Sequence, residues 1–321
     1  MNTSNRKLRL TALSLAALAL VLALAALILA LRANLPRGGA AADPSLQADA
    51  AAGTNPKSDP QKPKGSETQE LLPTDAAANH AEDVQDVLDS FVAAQGGVWD
   101  IYYESLSDGS YAAAQSGHGA EPRSISASVI KLFVMGAVYD AVEQGTLSHD
   151  SVYPNLRLMI TVSDNDACNT LVLQLGGGDR DAGIRAVNRF AQSIGCNGTE
   201  MTRLMLEQTG TENYVTARDC ATILRLIYTD ACVSPDASLE MRTLLLGQTR
   251  NNRLPANLPS GTAVAHKTGE LPNLSCCDVG IIYSPGGDYI LCVLSNHSQN
   301  DGQTISSIAT LSRTVYDVVN K

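Results

Sequence analysis

Residues 126–138 read SASVIKLFVMGAV. Serines able to cap a helix come first and apolar residues then occupy nearly every face, which predicts a helix buried in the middle of a domain. The three-residue spacing places Ser128 and Lys131 on one face, one turn apart. A lysine on so apolar a helix either extends to the surface or stays buried beside polar partners. If it is buried, desolvation and a nearby second cation lower its pKa, so that it can take the proton from the Ser128 hydroxyl.

A second short motif, Ser163-Asp164-Asn165, lies between the apolar runs 156–162 and 167–175. We expect it at a break between helices, where short polar side chains cap a helix or point into a cleft. A hydroxyl at Ser163 can relay a proton to a leaving nitrogen, and the amide of Asn165 can hold a substrate amide. Helix capping alone also explains such a motif, so it indicates a function only together with the other motifs.

A third motif, Lys267-Thr268-Gly269, ends an extended run of small and β-branched residues. Lys267 and Thr268 offer a cation and a hydroxyl to a carboxylate, and the missing side chain of Gly269 lets a ligand backbone lie against the strand. Strand alternation points His266 away from Lys267, so we expect a structural role for it. No histidine or cysteine set has the spacing of metal ligands, and the sequence indicates neither a metal nor a cofactor.

A serine and a lysine three apart occur by chance about once in a chain of this length, but the ordered set of three motifs is a strong signal. The set resembles the class A β-lactamase family, within the group that includes penicillin-binding transpeptidases and carboxypeptidases. The resemblance covers residues 81–321. It implies a serine hydrolase that opens the β-lactam amide through an acyl-enzyme.

The resemblance also implies a role for each matched residue. Ser128 would be the acylated nucleophile, Lys131 its proton acceptor or relay, and Ser163 the donor to the leaving nitrogen. The substrate would be bound by Asn165 through its side-chain amide, by the motif Lys267, Thr268 and Gly269 through its carboxylate, and by an oxyanion hole of the backbone amides of Ser128 and Glu270.

One departure concerns the release of the acyl group. Hydrolytic members of the family use a glutamate, on a loop between the second and third motifs, to activate the deacylating water. The matching stretch, residues 199–208, reads TEMTRLMLEQ, and no glutamate in it is followed three residues later by Leu-Asn. The preferred register puts Met205 at the glutamate position. Glu207, two residues beyond, remains as a candidate.

Three functions stay open. The first is a β-lactamase, which would serve antibiotic resistance. The second is a penicillin-binding DD-peptidase or receptor that acts on peptidoglycan peptides and releases penicillin slowly, and the missing loop glutamate favours it. The third is a non-catalytic cell-wall-binding protein, which the intact set of reactive residues disfavours. We expect the first, acting as a monomer on small molecules.

The N-terminal region predicts an attachment to the membrane. Leu10 to Leu31 contains no charge and would span about 33 Å as a helix, enough to cross a bilayer. Basic residues precede it, so residues 1–32 are expected to form a cytoplasmic tail and a signal anchor, with the catalytic domain outside the cell. Cleavage near Ala40 to Ala42 would instead give a secreted protein. The composition of residues 33–80 predicts a disordered tether.

Residues 81–321 are long enough for one two-lobed domain. The pattern predicts a helix near 81–95, strands at 98–106 and 111–115, helices from 126 to 246, strands at 262–270, 277–283 and 289–296, and a helix near 304–319. Strands at both ends must pair in one sheet. We therefore predict an α/β fold of the α+β type, with an antiparallel sheet flanked by helices, an all-helical lobe, and the motifs at the seam.

Charge and cysteine content limit the partners and the redox chemistry. The formal net charge of −10 argues against nucleic acid as a partner. The chain has seven cysteines, so at least one thiol is free, and the sequence assigns no pairing. Cys168 and Cys220 lie on apolar helical runs and are expected to be buried small hydrophobes.

Overall fold

The computed structural model describes residues 80–208, 210–298 and 300–321. The predicted anchor, Leu10 to Leu31, and nearly all of the predicted tether lie outside this part of the chain. Within the described part, no helix is both long and apolar enough to cross a membrane.

The described part forms helices and strands in the predicted alternation. In chain order they are α1 (His80–Ala94), β1 (Val98–Ser105), β2 (Tyr111–Ser116), β3 (Ser124–Ile125), α2 (Lys131–Glu143), α3 (His149–Thr161), α4 (Asn165–Leu175), α5 (Arg180–Ser193), β4 (Tyr214–Val215), α6 (Ala217–Tyr228), α7 (Pro235–Leu246), β5 (Val264–Leu271), β6 (Ser275–Ile282), β7 (Tyr289–Asn296) and α8 (Asp301–Val319).

Five strands form one antiparallel sheet in the order β2-β1-β7-β6-β5. Strand β1 pairs with β7, with Ile101 opposite Val293, so the two ends of the domain meet in the centre of the sheet. Alternate residues of β1, such as Trp99 and Tyr103, are buried in a cluster with residues of α1 and α8. The predicted pairing of N- and C-terminal strands is confirmed.

A second apolar cluster lies on the other face of the sheet and forms the core of the helical lobe. Helix α2 runs through it, and every residue from Lys131 to Tyr139 is buried. Gly136 is required there, because an added Cβ would lie 2.2 Å from the ring of Phe190 on α5. The predicted central helix is therefore confirmed.

The start of this helix differs from the prediction. Ser128 lies in a 3-10 turn, Ala127–Ile130, that precedes α2. Ser126 makes no side-chain cap, and its hydroxyl donates instead to the Ala127 carbonyl at 3.2 Å. The reason is the backbone of Ala127, whose φ of +44° turns the chain sharply just before the helix.

All seven cysteines lie in the described part of the chain, and each is buried with a free thiol. The expectation that Cys168 and Cys220 are buried is confirmed. Burial raises the pKa of the Cys168 thiol to about 11, so these sulfurs are protonated at neutral pH.

Candidate active site

The three motifs meet at the Ser163 hydroxyl. Lys267 Nζ, from strand β5, donates to Ser163 Oγ at 2.9 Å, and Lys131 Nζ, from helix α2, lies 3.3 Å from the same oxygen. Lys131 Nζ also donates to the Ser163 carbonyl and to Asn165 Oδ1, both at 2.7 Å. Residues far apart in the sequence are thus joined in one buried polar cluster at the seam of the sheet and the helical lobe.

Both lysines are buried, at 0% exposure. The pKa of Lys131 is lowered to about 8, chiefly by desolvation and to a smaller extent by the charge of Arg250, against the opposing influence of Cys168 and Asp164. Desolvation, followed by the charge of Lys131, lowers the pKa of Lys267 well below its ordinary value. Lys131 can therefore exist as a neutral amine close to neutral pH, as a proton acceptor requires.

Ser128 is partly exposed and borders two small cavities. One, of about 160 Å³, has mostly polar walls, which are Ser128, Ser163, Asn165, Arg250, Thr268, Glu270 and Pro272. The other, of about 100 Å³, is mostly apolar and is lined by Ala127, Ser128, Asn165, Arg203, Leu204, Met205, Leu206, Gln208, Glu212, Asn213, Glu270 and Leu271. Ser128 thus borders both a polar and an apolar space.

The backbone is in the left-handed region at three of these positions, Ala127, Ser163 and Leu206, of which the first two adjoin or belong to the motifs. Ala127 has a φ of +44° and Ser163 a φ of +61°, which cost on the order of 1–3 kcal/mol each for residues with a side chain. Neighbouring contacts hold both conformations: Ser126 N donates to Asn213 O at 2.8 Å, and Asp164 Oδ1 caps α4 by accepting from Ala167 N at 2.7 Å. Such strain is typical of functional sites.

The structure gives Gly269 a packing reason for its glycine beside the predicted contact with a ligand backbone, which stays a prediction. An added Cβ would lie 2.8 Å from the Ser126 carbonyl oxygen and 3.1 Å from Val129 Cγ2. The missing side chain therefore allows strand β5 to pack against the turn that carries Ser128. It positions the nucleophile candidate.

Glu270 borders both cavities, and its carboxylate pairs with the buried Arg253. Arg253 NH2 donates to Glu270 Oε2 at 2.5 Å, and Arg253 Nε donates to Cys276 Sγ at 3.4 Å. These contacts fix the end of strand β5, where the backbone amide of Glu270 was predicted to contribute to an oxyanion hole.

Glu207 lies outside both cavities. Its two carboxylate oxygens accept from Arg180 at 2.8 and 2.6 Å, and Leu204 N donates to it at 2.9 Å. Bonding to Arg180 lowers the pKa of Glu207, which makes it a weaker base. This arrangement disfavours Glu207 as the activator of a water at Ser128, and that role stays a prediction. The sequence did not reveal this pairing, because Arg180 lies on a separate helix.

Met205 borders the apolar cavity together with Ser128. The side chain of Asn169 fixes its backbone at both ends, accepting from Met205 N at 2.8 Å and donating to Met205 O at 3.1 Å. The loop is closed at its base by Arg203, whose amide donates to Asn213 Oδ1 at 3.1 Å and whose guanidinium pairs with Glu212. This short loop thus places Met205 at the position that the sequence register assigned to the glutamate.

Arg250 is a site residue that sequence reasoning missed. It lines the polar cavity, and its charge contributes to lowering the pKa of both buried lysines. It belongs to none of the three motifs, so no spacing signal identified it. Within the described residues, no group of three or more His, Cys, Asp or Glu side chains is arranged to hold a metal ion.

The chain is similar to known proteins in sequence and in fold. A family model described as the beta-lactamase enzyme family matches residues 79–155 and 151–319. A beta-lactamase of Streptomyces albus G is 31% identical over 149 residues, which are 44% of this chain and 46% of that protein. The chain spans about half the length of the first curated relatives that it matches.

Solved structures confirm the predicted fold. PBP-A superposes with a TM-score of 0.65 at 24% identity, over 74% of this chain and 96% of that one. A mutant of PBP-A, in an acyl-enzyme complex with penicillin G, gives a TM-score of 0.64 at 25% identity, over 74% of this chain and 97% of that one. The likeness extends over nearly the whole of those chains.

Proposed function

Because this chain belongs to the beta-lactamase enzyme family, we propose that it is a serine enzyme whose Ser128 hydroxyl is acylated by β-lactams. The observation that carries the proposal is one polar cavity lined by Ser128, Ser163 and Asn165, with two buried lysines hydrogen-bonded to the Ser163 hydroxyl. Each group has the chemistry that acyl transfer needs: a nucleophile, a neutral amine, a proton relay and an amide-binding group.

The acylation step uses these groups in order. Neutral Lys131 takes the proton of the Ser128 hydroxyl, and the oxygen attacks the lactam carbonyl carbon. The backbone amides of Ser128 and Glu270 stabilise the oxyanion. As the carbon–nitrogen bond breaks, Ser163 gives its proton to the nitrogen and is reprotonated by the ammonium of Lys131, its hydrogen-bond neighbour. The lysine returns to the neutral form, so the protons balance.

A substrate carboxylate would bind in the part of the polar cavity that Thr268 and Arg250 line. Lys267, Thr268 and Arg250 together supply two cationic groups and a hydroxyl there. The lowered pKa of Lys267 favours an anionic ligand in a second way, because a bound carboxylate compensates the cost of protonating that buried amine.

The release of the acyl group is the step for which the site is poorly equipped. Met205 borders the cavity beside Ser128 and carries no proton acceptor, while Glu207 is paired with Arg180. We therefore propose slow deacylation, as in a penicillin-binding DD-peptidase or receptor that acts on peptidoglycan peptides. The predicted anchor would hold the domain outside the cell, where this polymer is found.

A β-lactamase with efficient deacylation is the second candidate. The observation that favours it is Glu212, a carboxylate on the wall of the apolar cavity that Ser128 also borders. Its pairing with Arg203 fixes its position. A water held between Glu212 and the acyl carbonyl would give turnover.

Intact-mass spectrometry of the purified protein after mixing with a penicillin tests these alternatives. We expect an adduct of one penicillin within seconds to minutes that persists for hours, and no adduct on the Ser128→Ala variant. An adduct that disappears while hydrolysed penicillin accumulates would establish the β-lactamase. The absence of any adduct on the wild type would contradict the proposal and favour a non-catalytic cell-wall-binding protein.

A further inference from the structure

Arg250 lies on a segment, residues 248–254, that is anchored at both ends. On one side the segment is tied to the C-terminal turn of helix α3: Gln248 Nε2 donates to the Ile160 carbonyl at 2.9 Å, and Thr249 N donates to the Thr161 carbonyl at 3.0 Å. These bonds attach the segment to the helical lobe just before Ser163.

The other anchor belongs to the sheet. His266 Nδ1, next to Lys267 on strand β5, lies 2.9 Å from Asp278 Oδ1 on β6, and His266 Nε2 lies 3.0 Å from Asn251 Oδ1. Asp278 Oδ2 accepts from Leu254 N at 3.0 Å. The pair therefore holds the segment at two points, and one of them immediately follows Arg250.

We infer that His266 and Asp278 are positioning residues, which fix the segment that carries Arg250 with respect to Lys267 and so set the affinity of the site for a substrate carboxylate. This inference rests on the proposed function. It concerns how the carboxylate site is built, and not the chemistry at Ser128.

Burial and connectivity carry the inference. His266 is 1% exposed and Asp278 is 0% exposed, so each requires partners to offset desolvation. The bond between His266 and Asp278 satisfies only one nitrogen of the His266 ring. The second nitrogen reaches across to Asn251, an exposed residue next to Arg250 in the chain. The ring of His266 thus links strand β5, which carries Lys267, to the segment that carries Arg250.

This link can be cut without opening the core. Asn251→Ala removes the loop partner of the ring and leaves the His266–Asp278 pair buried. His266→Asn provides a second route, because an asparagine amide takes the place of Nδ1 and keeps a donor for Asp278 but does not reach Asn251. Asn257→Ala, at an exposed position of the same connection, is the matched control.

The readout is the rate of adduct formation on the full chain as a function of penicillin concentration, for the free acid and for its carboxylate methyl ester. With the acid, we expect Asn251→Ala and His266→Asn each to raise the apparent Kd of the pre-acylation complex about tenfold and to leave the maximal rate unchanged. With the ester, neither variant changes the kinetics. The double variant is no worse than either single one, because both cut the same link.

Equal losses with acid and ester, or losses in the maximal rate, would show a merely structural role and overturn the inference. So would wild-type kinetics in both variants. A wild-type protein that forms no adduct would overturn the proposed function together with the inference, so the two failures are distinguishable. Thermal melts of all variants show whether each one is folded.

Discussion

Arg180 holds both carboxylate oxygens of Glu207, at 2.8 and 2.6 Å. A carboxylate bonded in this way is a weak base, because the guanidinium stabilises its charged form and lowers its pKa. The pairing also joins the short loop to helix α5, which stabilises the wall of the apolar cavity beside Ser128.

We predict that Glu207→Gln leaves both acylation and deacylation within about twofold of the wild type. The ion pair is partly exposed, so its loss should lower the free energy of unfolding by about 1 kcal/mol or less. Mass spectrometry of the penicillin adduct measures the kinetics, and urea denaturation measures the stability. A large loss of deacylation alone would support Glu207 as a general base.

Met205→Glu should accelerate deacylation. The variant introduces a proton acceptor on the cavity wall next to Ser128, and general-base catalysis is worth roughly 10²- to 10⁴-fold. We expect the half-life of the penicillin adduct to fall by about 100-fold. Met205→Gln is the control, since it has the same size and polarity without a base. Equal half-lives in the two variants would contradict the assigned position of Met205.

The rate of acylation should depend on pH through Lys131. Only the neutral amine accepts the Ser128 proton, and the pKa of Lys131 is lowered to about 8. The rate constant should therefore fall about tenfold per pH unit below this pKa and level off above it. Lys131→Ala should be at least about 100-fold slower and lose this dependence. A profile that is flat between pH 6 and 8 in the wild type would exclude Lys131 as the base.

Binding of a carboxylate should be linked to proton uptake at Lys267. Burial and the charge of Lys131 lower the pKa of Lys267 well below its usual value, and a bound anion raises it again. Affinity for the carboxylate should therefore decrease as pH rises through the pKa of the free site. Calorimetry with Ser128→Ala and a penicillin, in buffers of different ionisation enthalpy, should show net uptake of protons. Lys267→Ala should bind more weakly and take up none.

Gly269→Ala should disturb the nucleophile without touching a substrate group. Its Cβ would press on the Ser126 carbonyl and Val129, and overpacking of this kind costs about 1–3 kcal/mol. We expect a lower melting temperature and an acylation rate reduced at least about tenfold. Gly119→Ala, at a glycine without a left-handed backbone where an added Cβ would meet nothing within 4 Å, is the matched control. A fully active Gly269→Ala would refute the packing argument.

The sequence predicted those parts of the site that depend on local pattern. Lys131 could be placed on a buried helix, because its neighbours are apolar on nearly every face, and the later motifs favoured burial of its amine beside polar partners. The pairing of β1 with β7 followed from the position of the strands at both ends of the domain. These inferences needed only periodicity and the order of the motifs.

Other features depend on contacts that no local pattern encodes. The fold alone brings Arg180 beside Glu207, and Arg250 joined the site only because its segment is anchored to α3 and to the sheet. The left-handed backbone of Ala127 is imposed by its surroundings against the preference of alanine. Each of these three features depends on tertiary packing, which the three motifs alone do not predict.

Because all seven thiols are buried, the rate at which they react reports transient opening of the domain. A thiol-reactive dye has nothing to modify while the domain is closed, so each labelling event marks a molecule that has transiently opened. The rate of dye incorporation, with and without a covalent inhibitor on the serine, would measure how strongly occupancy of the cleft tightens the whole structure.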